Sequence, residues 1–97
     1  MSEYFFDFNI DKNILLKEER GISFDDIISL IENGKLLKIL RHSNQEKYPN
    51  QFIYEIDVDG YVYVVPFVLD GKKIFLKTIY PSRKATKNFK ENYNGKK

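Results

Sequence analysis

Ten consecutive residues hold much of this chain's chemistry: Lys77-Thr78-Ile79-Tyr80-Pro81-Ser82-Arg83-Lys84-Ala85-Thr86. A phenol, hydroxyls and three cations crowd together where an apolar run gives way to a basic, helix-like tail. That mixture suits an anion, because cations and hydroxyl donors make strong bonds to charged oxygens. A second set lies in a polar stretch upstream: Arg41, His42, Lys47 and Tyr48. Folded over the first set, that stretch would share one surface with Lys77, Tyr80, Arg83, Lys84 and Lys87. Cations beside exposed rings fit RNA, whose phosphates they neutralise and whose unstacked bases lie on aromatic faces. Such a set can also cleave RNA without a metal. The 2′-hydroxyl attacks the neighbouring phosphate, Arg or Lys stabilises the growing negative charge, and a titratable group such as the His42 imidazole moves protons.

Plainer readings stand beside these. Lys/Arg clusters are commonly solvated faces, Arg83 could pair with Glu18 or Glu32, and Tyr80 could be half core. Lys84 could point to solvent from a first helical turn, and Lys47 and Tyr48 could be loop surface. Lys77, two residues before Ile79 and two after Phe75, is expected on their side of a strand, its charge reaching a wet groove.

Other chemistries lack their residues. The chain has one histidine and no cysteine, so no disulfide, thiolate site or cysteine nucleophile is available. Nothing places a serine beside His42 to make a triad, and there is no phosphate-binding glycine loop or dinucleotide fingerprint. The acidic pairs Asp25-Asp26, Asp57/Asp59 and Asp7/Asp11 could in principle hold a hard cation, but Asp25-Asp26 reads better as a helix start and Asp59 as a turn residue. No cofactor is expected.

The net charge of +2 conceals a split. Residues 1–70 carry seven Lys/Arg against thirteen Asp/Glu, whereas residues 71–97 carry nine against Glu91 alone. The basic end suits phosphate or an acidic partner. At 97 residues with 42% apolar content, one domain with a small core of rings and aliphatics is expected. No apolar run nears the ~20 residues of a membrane span, and Met1-Ser2-Glu3 opens no signal peptide. The expectation is a soluble cytoplasmic protein.

The elements that must position these residues follow from caps and periodicity. Tyr4 to Phe8 is a short aromatic strand. Asn9 caps a helix from about Ile10 to Arg20, which Gly21 ends. Ser23 with Asp26 resembles a capping box opening a second helix, with Phe24, Ile27, Ile28 and Ile31 on its apolar face and Gly34 closing it. Leu36 to Leu40 is a strand, followed by a polar loop through Asn50. Gln51–Val58, Tyr61–Leu69 and Lys72–Tyr80 then form a meander joined at Asp59-Gly60 and Asp70-Gly71, both strong hairpin signals. Pro66 falls inside the middle strand and predicts a kink, a bulge or a break in pairing. Pro81 stops the last strand, Ser82 caps a helix through about Asn92, and residues 94–97 fray. The fold class is α+β: an N-terminal strand and two helices on a mainly antiparallel sheet of four to five strands, then a C-terminal helix. The helices are expected on one face, leaving the other partly open.

Three segments in this order resemble the BrnT-type toxins. Phe6-Asp7-Phe8-Asn9 with Lys12-Asn13, then Arg20-Gly21-Ile22-Ser23-Phe24-Asp25-Asp26, look like that family's opening. The closing Arg83-Lys84-Ala85-Thr86 is similar to its basic segment, and His42-Ser43 falls in a matching loop. The likeness runs from about residue 4 to 90. Tyr80-Pro81-Ser82 and a longer aromatic meander depart from the pattern. The resemblance implies a RelE/ParE-like fold and the toxin of a type II toxin–antitoxin pair. It implies metal-free endoribonuclease activity that arrests translation, and neutralisation by a cognate antitoxin with a ribbon-helix-helix or helix-turn-helix DNA-binding part, in a toxin–antitoxin hetero-oligomer. Arg83 and Lys84 carry over as phosphate and transition-state cations, with His42 in the matching loop. The alternative is a non-catalytic RNA- or protein-binding module within a toxin–antitoxin repressor complex.

Overall fold

A computed structural model describes residues 3–94. The elements run β1 (Phe5–Phe8), α1 (Ile10–Arg20), α2 (Phe24–Glu32), β2 (Leu36–Arg41), β3 (Gln51–Val58), β4 (Tyr61–Asp70), β5 (Lys73–Leu76), β6 (Tyr80–Pro81) and α3 (Arg83–Asn94). The fraying expected over 94–97 falls, beyond Asn94, outside the described residues.

Local chemistry sets the helix ends. The Asn9 side-chain oxygen accepts the Lys12 amide at 2.9 Å, and Gly21, at φ 74°, returns its N–H to the Lys17 carbonyl. Ser23 and Asp26 complete a capping box: the Asp26 amide donates to Ser23 Oγ at 3.1 Å, and the Ser23 amide donates to Asp26 Oδ2 at 2.8 Å. Asn13 ties the two helices together. Its Oδ1 accepts the Phe24 amide at 2.6 Å and its Nδ2 donates to Asp25 at 3.1 Å. Orphan amides of the first turn of α2 are thus satisfied from within the hairpin.

The sheet has six strands in the order β1-β5-β4-β3-β2, with β6 also paired to β4. It is mixed: β1 runs parallel to β5, aligning Phe5 with Lys73 and Phe8 with Leu76, while the remaining pairs are antiparallel. At the β3–β4 turn Asp59 and Gly60 take φ of 54° and 89°, the positive pair a two-residue hairpin requires. Asp57 Oδ1 accepts the Gly60 amide at 2.8 Å and closes the turn.

The final strand is not continuous, as first expected, but split around Pro66. On its β3 side Pro66 stays in register opposite Ile53. On the other side pairing stops at Phe67–Leu76 and resumes one residue out of step at Val64–Tyr80. The Lys77 main-chain amide donates to the Pro66 carbonyl at 2.8 Å inside the break. A proline has no N–H to offer, so the partner strand bulges past it. The extra residue changes which way side chains point: Leu76 and Ile79 both enter the core at 1% and 0% exposure, whereas Phe75 lies opposite Val68 on the far face. Lys77 therefore does not share one side with Phe75 and Ile79.

The helices cover both faces, correcting the expectation of one. The α1–α2 hairpin packs Leu16, Ile22, Phe24 and Ile27 on Tyr54, Ile56, Val65, Phe67, Leu76 and Ile79. Helix α3 crosses the opposite face, where Ala85, Val62 and Val64 are buried. Consecutive buried Val64 and Val65 are the mark of a strand covered on both sides.

Candidate nucleic-acid interface

The Arg41–Asn50 turn is built from the end of β2 and the start of β3, where His42 extends the ladder by donating its amide to Gln51 at 2.9 Å. His42 and Tyr48 bring their rings to 4.4 Å. The Lys47 ammonium lies 5.4 Å from the Tyr48 ring centre, and the Arg41 guanidinium 6.0 Å from that of Phe52. Polar side chains hold the turn. Gln45 donates to the His42 carbonyl at 2.7 Å and accepts from Arg41 at 3.3 Å. Asn44 accepts the Lys47 amide at 3.2 Å. The Asn44 amide also donates to His42 Nδ1 at 3.0 Å. With that lone pair engaged, a neutral His42 carries its hydrogen on Nε2, which is then a donor.

Arg41 stands at the rim of an apolar groove of about 220 Å³ lined by Tyr4, Ile39, Phe52, Tyr54, Phe67 and Ile74 among others. Phe67 stacks on Phe52 at 5.4 Å and on Tyr54 at 4.2 Å, geometry favoured by ring quadrupoles. Burial pushes the Tyr54 phenol above its ordinary value. This row of rings is missing from the sequence-based site. The alternation Phe52, Tyr54 marked a buried face, and only the open end of the groove, beyond the reach of α1 and α2, turns part of that face outward.

The other cations lie elsewhere. Arg83, Lys84 and Lys87 occupy the first turns of α3, all exposed, with no acidic residue in the first turn. Ser82 caps this helix through Oγ, which accepts the Ala85 amide at 3.0 Å. Like charges at the positive end of a helix dipole repel, which makes the corner receptive to an anion. Among the described residues the ion pairs are Lys17–Asp26 and Lys72–Glu3, so Arg83 pairs with neither Glu18 nor Glu32. Tyr80 is 38% exposed beside this corner. Lys77 borders a separate hollow with Asn9, Asp11, Lys12, Leu15 and Phe75.

The structure therefore divides the candidate residues instead of assembling them. Arg41 is opposite Phe52, and Phe52 is opposite Phe67; Ser82, preceding Arg83, bonds to Val62. Five residues of strand separate Phe67 from Val62, roughly 17 Å. The turn does not fold over the Arg83 corner.

Among the described residues no three His, Asp or Glu side chains converge as metal ligands would, and no helix is long and apolar enough to cross a membrane. A family model described as a domain of unknown function (DUF4258) matches residues 17–81. That span includes the Arg41–Asn50 turn and most of the groove wall, and it stops before Arg83. No curated protein and no solved structure matches the chain significantly.

Proposed function

For a chain that belongs to the DUF4258 family over most of its length, we propose the role of toxin in a type II toxin–antitoxin pair. It is a cytoplasmic, metal-independent endoribonuclease that arrests translation and is neutralised by a cognate antitoxin. The observation that carries this reading is the convergence of Arg41, His42, Lys47 and Tyr48 on one turn, with His42 and Tyr48 in ring contact. In the cleavage step the 2′-hydroxyl oxygen bonds to the adjacent phosphorus and the bond from phosphorus to the 5′-oxygen breaks. The products are a cyclic phosphate and a free 5′-hydroxyl. Arg41 and Lys47 offset the charge that builds on the phosphate oxygens, and Tyr48 presents a ring to a neighbouring base. With Nδ1 bound by the Asn44 amide, the Nε2 hydrogen of His42 is the one to be passed to the 5′-oxygen as it leaves. To take the 2′-hydroxyl proton it must first release the Asn44 amide, so substrate entry shifts the 43–46 turn. Arg83, Lys84, Lys87, Lys77 and Tyr80 act at a distance, holding more of the RNA backbone.

One observation favours a second reading, a non-catalytic RNA-holding module within a toxin–antitoxin complex. The Asn44 hydrogen bond keeps His42 a donor instead of a base. Labelled RNA incubated with the protein in EDTA separates the two. The toxin reading expects cleavage ending in cyclic phosphates, lost in His42→Gln. Binding without products supports the second reading, and absence of binding overturns both.

A further inference from the structure

Strand β2 forms one edge of the sheet, and its features go beyond anything RNA requires. Beyond its bulge at Leu37, β2 pairs regularly with β3 from Lys38 to Arg41. Because His42 turns its amide inward to Gln51, alternation turns the main-chain groups of Ile39 and Arg41 outward. The edge is apolar and open, with Ile39 55% and Leu40 40% exposed. The charges on and beside the strand itself are all basic, Lys35, Lys38 and Arg41 recurring every third residue with no Asp or Glu from residue 33 to 45. Glu55 stands opposite Lys38 on β3 and lines a groove on the α3 face.

Hollows flank this edge on both faces of the sheet. On the α3 face a groove of about 280 Å³ runs between β2 and α3, lined by Leu37, Lys38, Ala85, Asn88 and Phe89 among others. On the opposite face the aromatic groove opens at Ile39. A strand added beside β2 would send alternate side chains to the two faces, and each face offers a recess next to the edge. Main-chain bonds supply affinity in such an addition, while the alternate recesses supply selectivity.

We infer that β2 is a docking edge for an extended segment of a protein partner, in which apolar residues alternate with Asp or Glu. Charge complementarity selects that occupant. A second copy of this chain would bring the same lysines and arginine to the junction, and edge lysines and bulges are devices that discourage self-pairing. The Leu37 bulge limits the added strand to a short one, over Lys38 to Arg41. The edge shares Arg41 with the proposed RNA site, but Lys38 and the main-chain groups of Ile39 take no part in the cleavage step, so peptide binding is tested separately from RNA cleavage.

The test uses the full chain and a fluorescent synthetic peptide of sequence Glu-Val-Glu-Ile-Asp-Val-Glu, read by anisotropy. Saturable binding to the wild type is expected, weakened about tenfold by Lys38→Glu through charge reversal. Ile39→Pro removes one outward N–H at an edge position that tolerates proline, and should weaken it as much. Amide exchange at Ile39 and Arg41 should slow when the peptide binds. Equal binding by wild type and both variants, or by a peptide N-methylated at alternate amides, overturns the inference. So does dimerisation of the free protein through β2, which would show the edge taken by a second copy.

Discussion

Thr86 Oγ1 accepts the amide of Val62 at 2.8 Å, across 24 residues of chain, and also donates to the Ser82 carbonyl at 2.7 Å. The Val62 carbonyl in turn accepts the Ser82 amide at 2.9 Å. Both main-chain groups of a fully buried strand residue are thus satisfied by the first turn of α3. The clasp fixes where Arg83 leaves the sheet.

Thr86→Val keeps the shape and removes the hydroxyl, leaving the Val62 amide buried without a partner. The cost is about 1–3 kcal/mol, read as a lower urea midpoint with unchanged slope. Thr86→Ser keeps the bond and should lose only about 1 kcal/mol for its methyl group. Equal stability of the Val and Ser variants would show that the clasp contributes little.

Acid should reach the helical hairpin through Asp26. Burial works to raise its pKa, but hydrogen bonds from Lys17 and from the Ser23 backbone and hydroxyl outweigh it, leaving the value below 3.8. The stabilisation is therefore complete above that ordinary value and is lost as pH falls through the lower folded one. The Asp26 side chain is 41% exposed, so water screens the Lys17 pair and the capping bonds carry most of the effect. Asp26→Asn should cost about 1 kcal/mol at neutral pH. In denaturant titrations the difference should vanish once the pH is below the folded value.

Gly60 takes φ 89° where an L-residue is strained. Gly60→Ala should destabilise by about 1–2 kcal/mol, although a Cβ there would meet no atom within 4 Å. Asp59→Gly should be tolerated, since it relieves the same strain at φ 54°. A thermal melt that ranks the two variants in the opposite order would reject the strain argument.

Separation of the two basic corners makes their variants behave differently. Arg83→Ala with Lys84→Ala should weaken RNA binding and reduce the salt slope by about one per cation removed. Cleavage of RNA already bound should continue at the original rate. His42→Gln should do the reverse, slowing single-turnover cleavage by about a hundredfold or more while affinity holds. If Arg83→Ala stops cleavage of saturating RNA, the two corners work on one phosphate and the turn alone is not the catalytic centre.

The hairpin helices were legible because their signals are local: Asn9, Gly21, Ser23 and Asp26 each act within a turn of themselves. Asp59-Gly60 was legible for the same reason. The α+β class followed from the order of elements, and Pro66 announced a break in pairing. The site was less legible, because its geometry depends on register. Lys77-Thr78-Ile79-Tyr80 reads as an unbroken alternation, and nothing local reveals the residue that bulges past Pro66. Nor does an amphipathic α3 declare which sheet face it will cover. Placing the Arg41–Asn50 turn far from Arg83 needed the pairing of Phe52 with Phe67, which no single strand encodes.

The parallel partnership of β1 with β5 orders events during synthesis. Phe5 to Phe8 leave the ribosome before the other elements described, yet the strand they pair with is made more than sixty residues later. Until then Phe6 and Phe8 have no neighbouring strand, and the hairpin that follows them has no sheet beneath it. The local meander of β2 to β5 can form as it emerges, so β1 can join the sheet only once β5 is in place. A chain that stops short of Leu76 and Ile79 cannot complete its core.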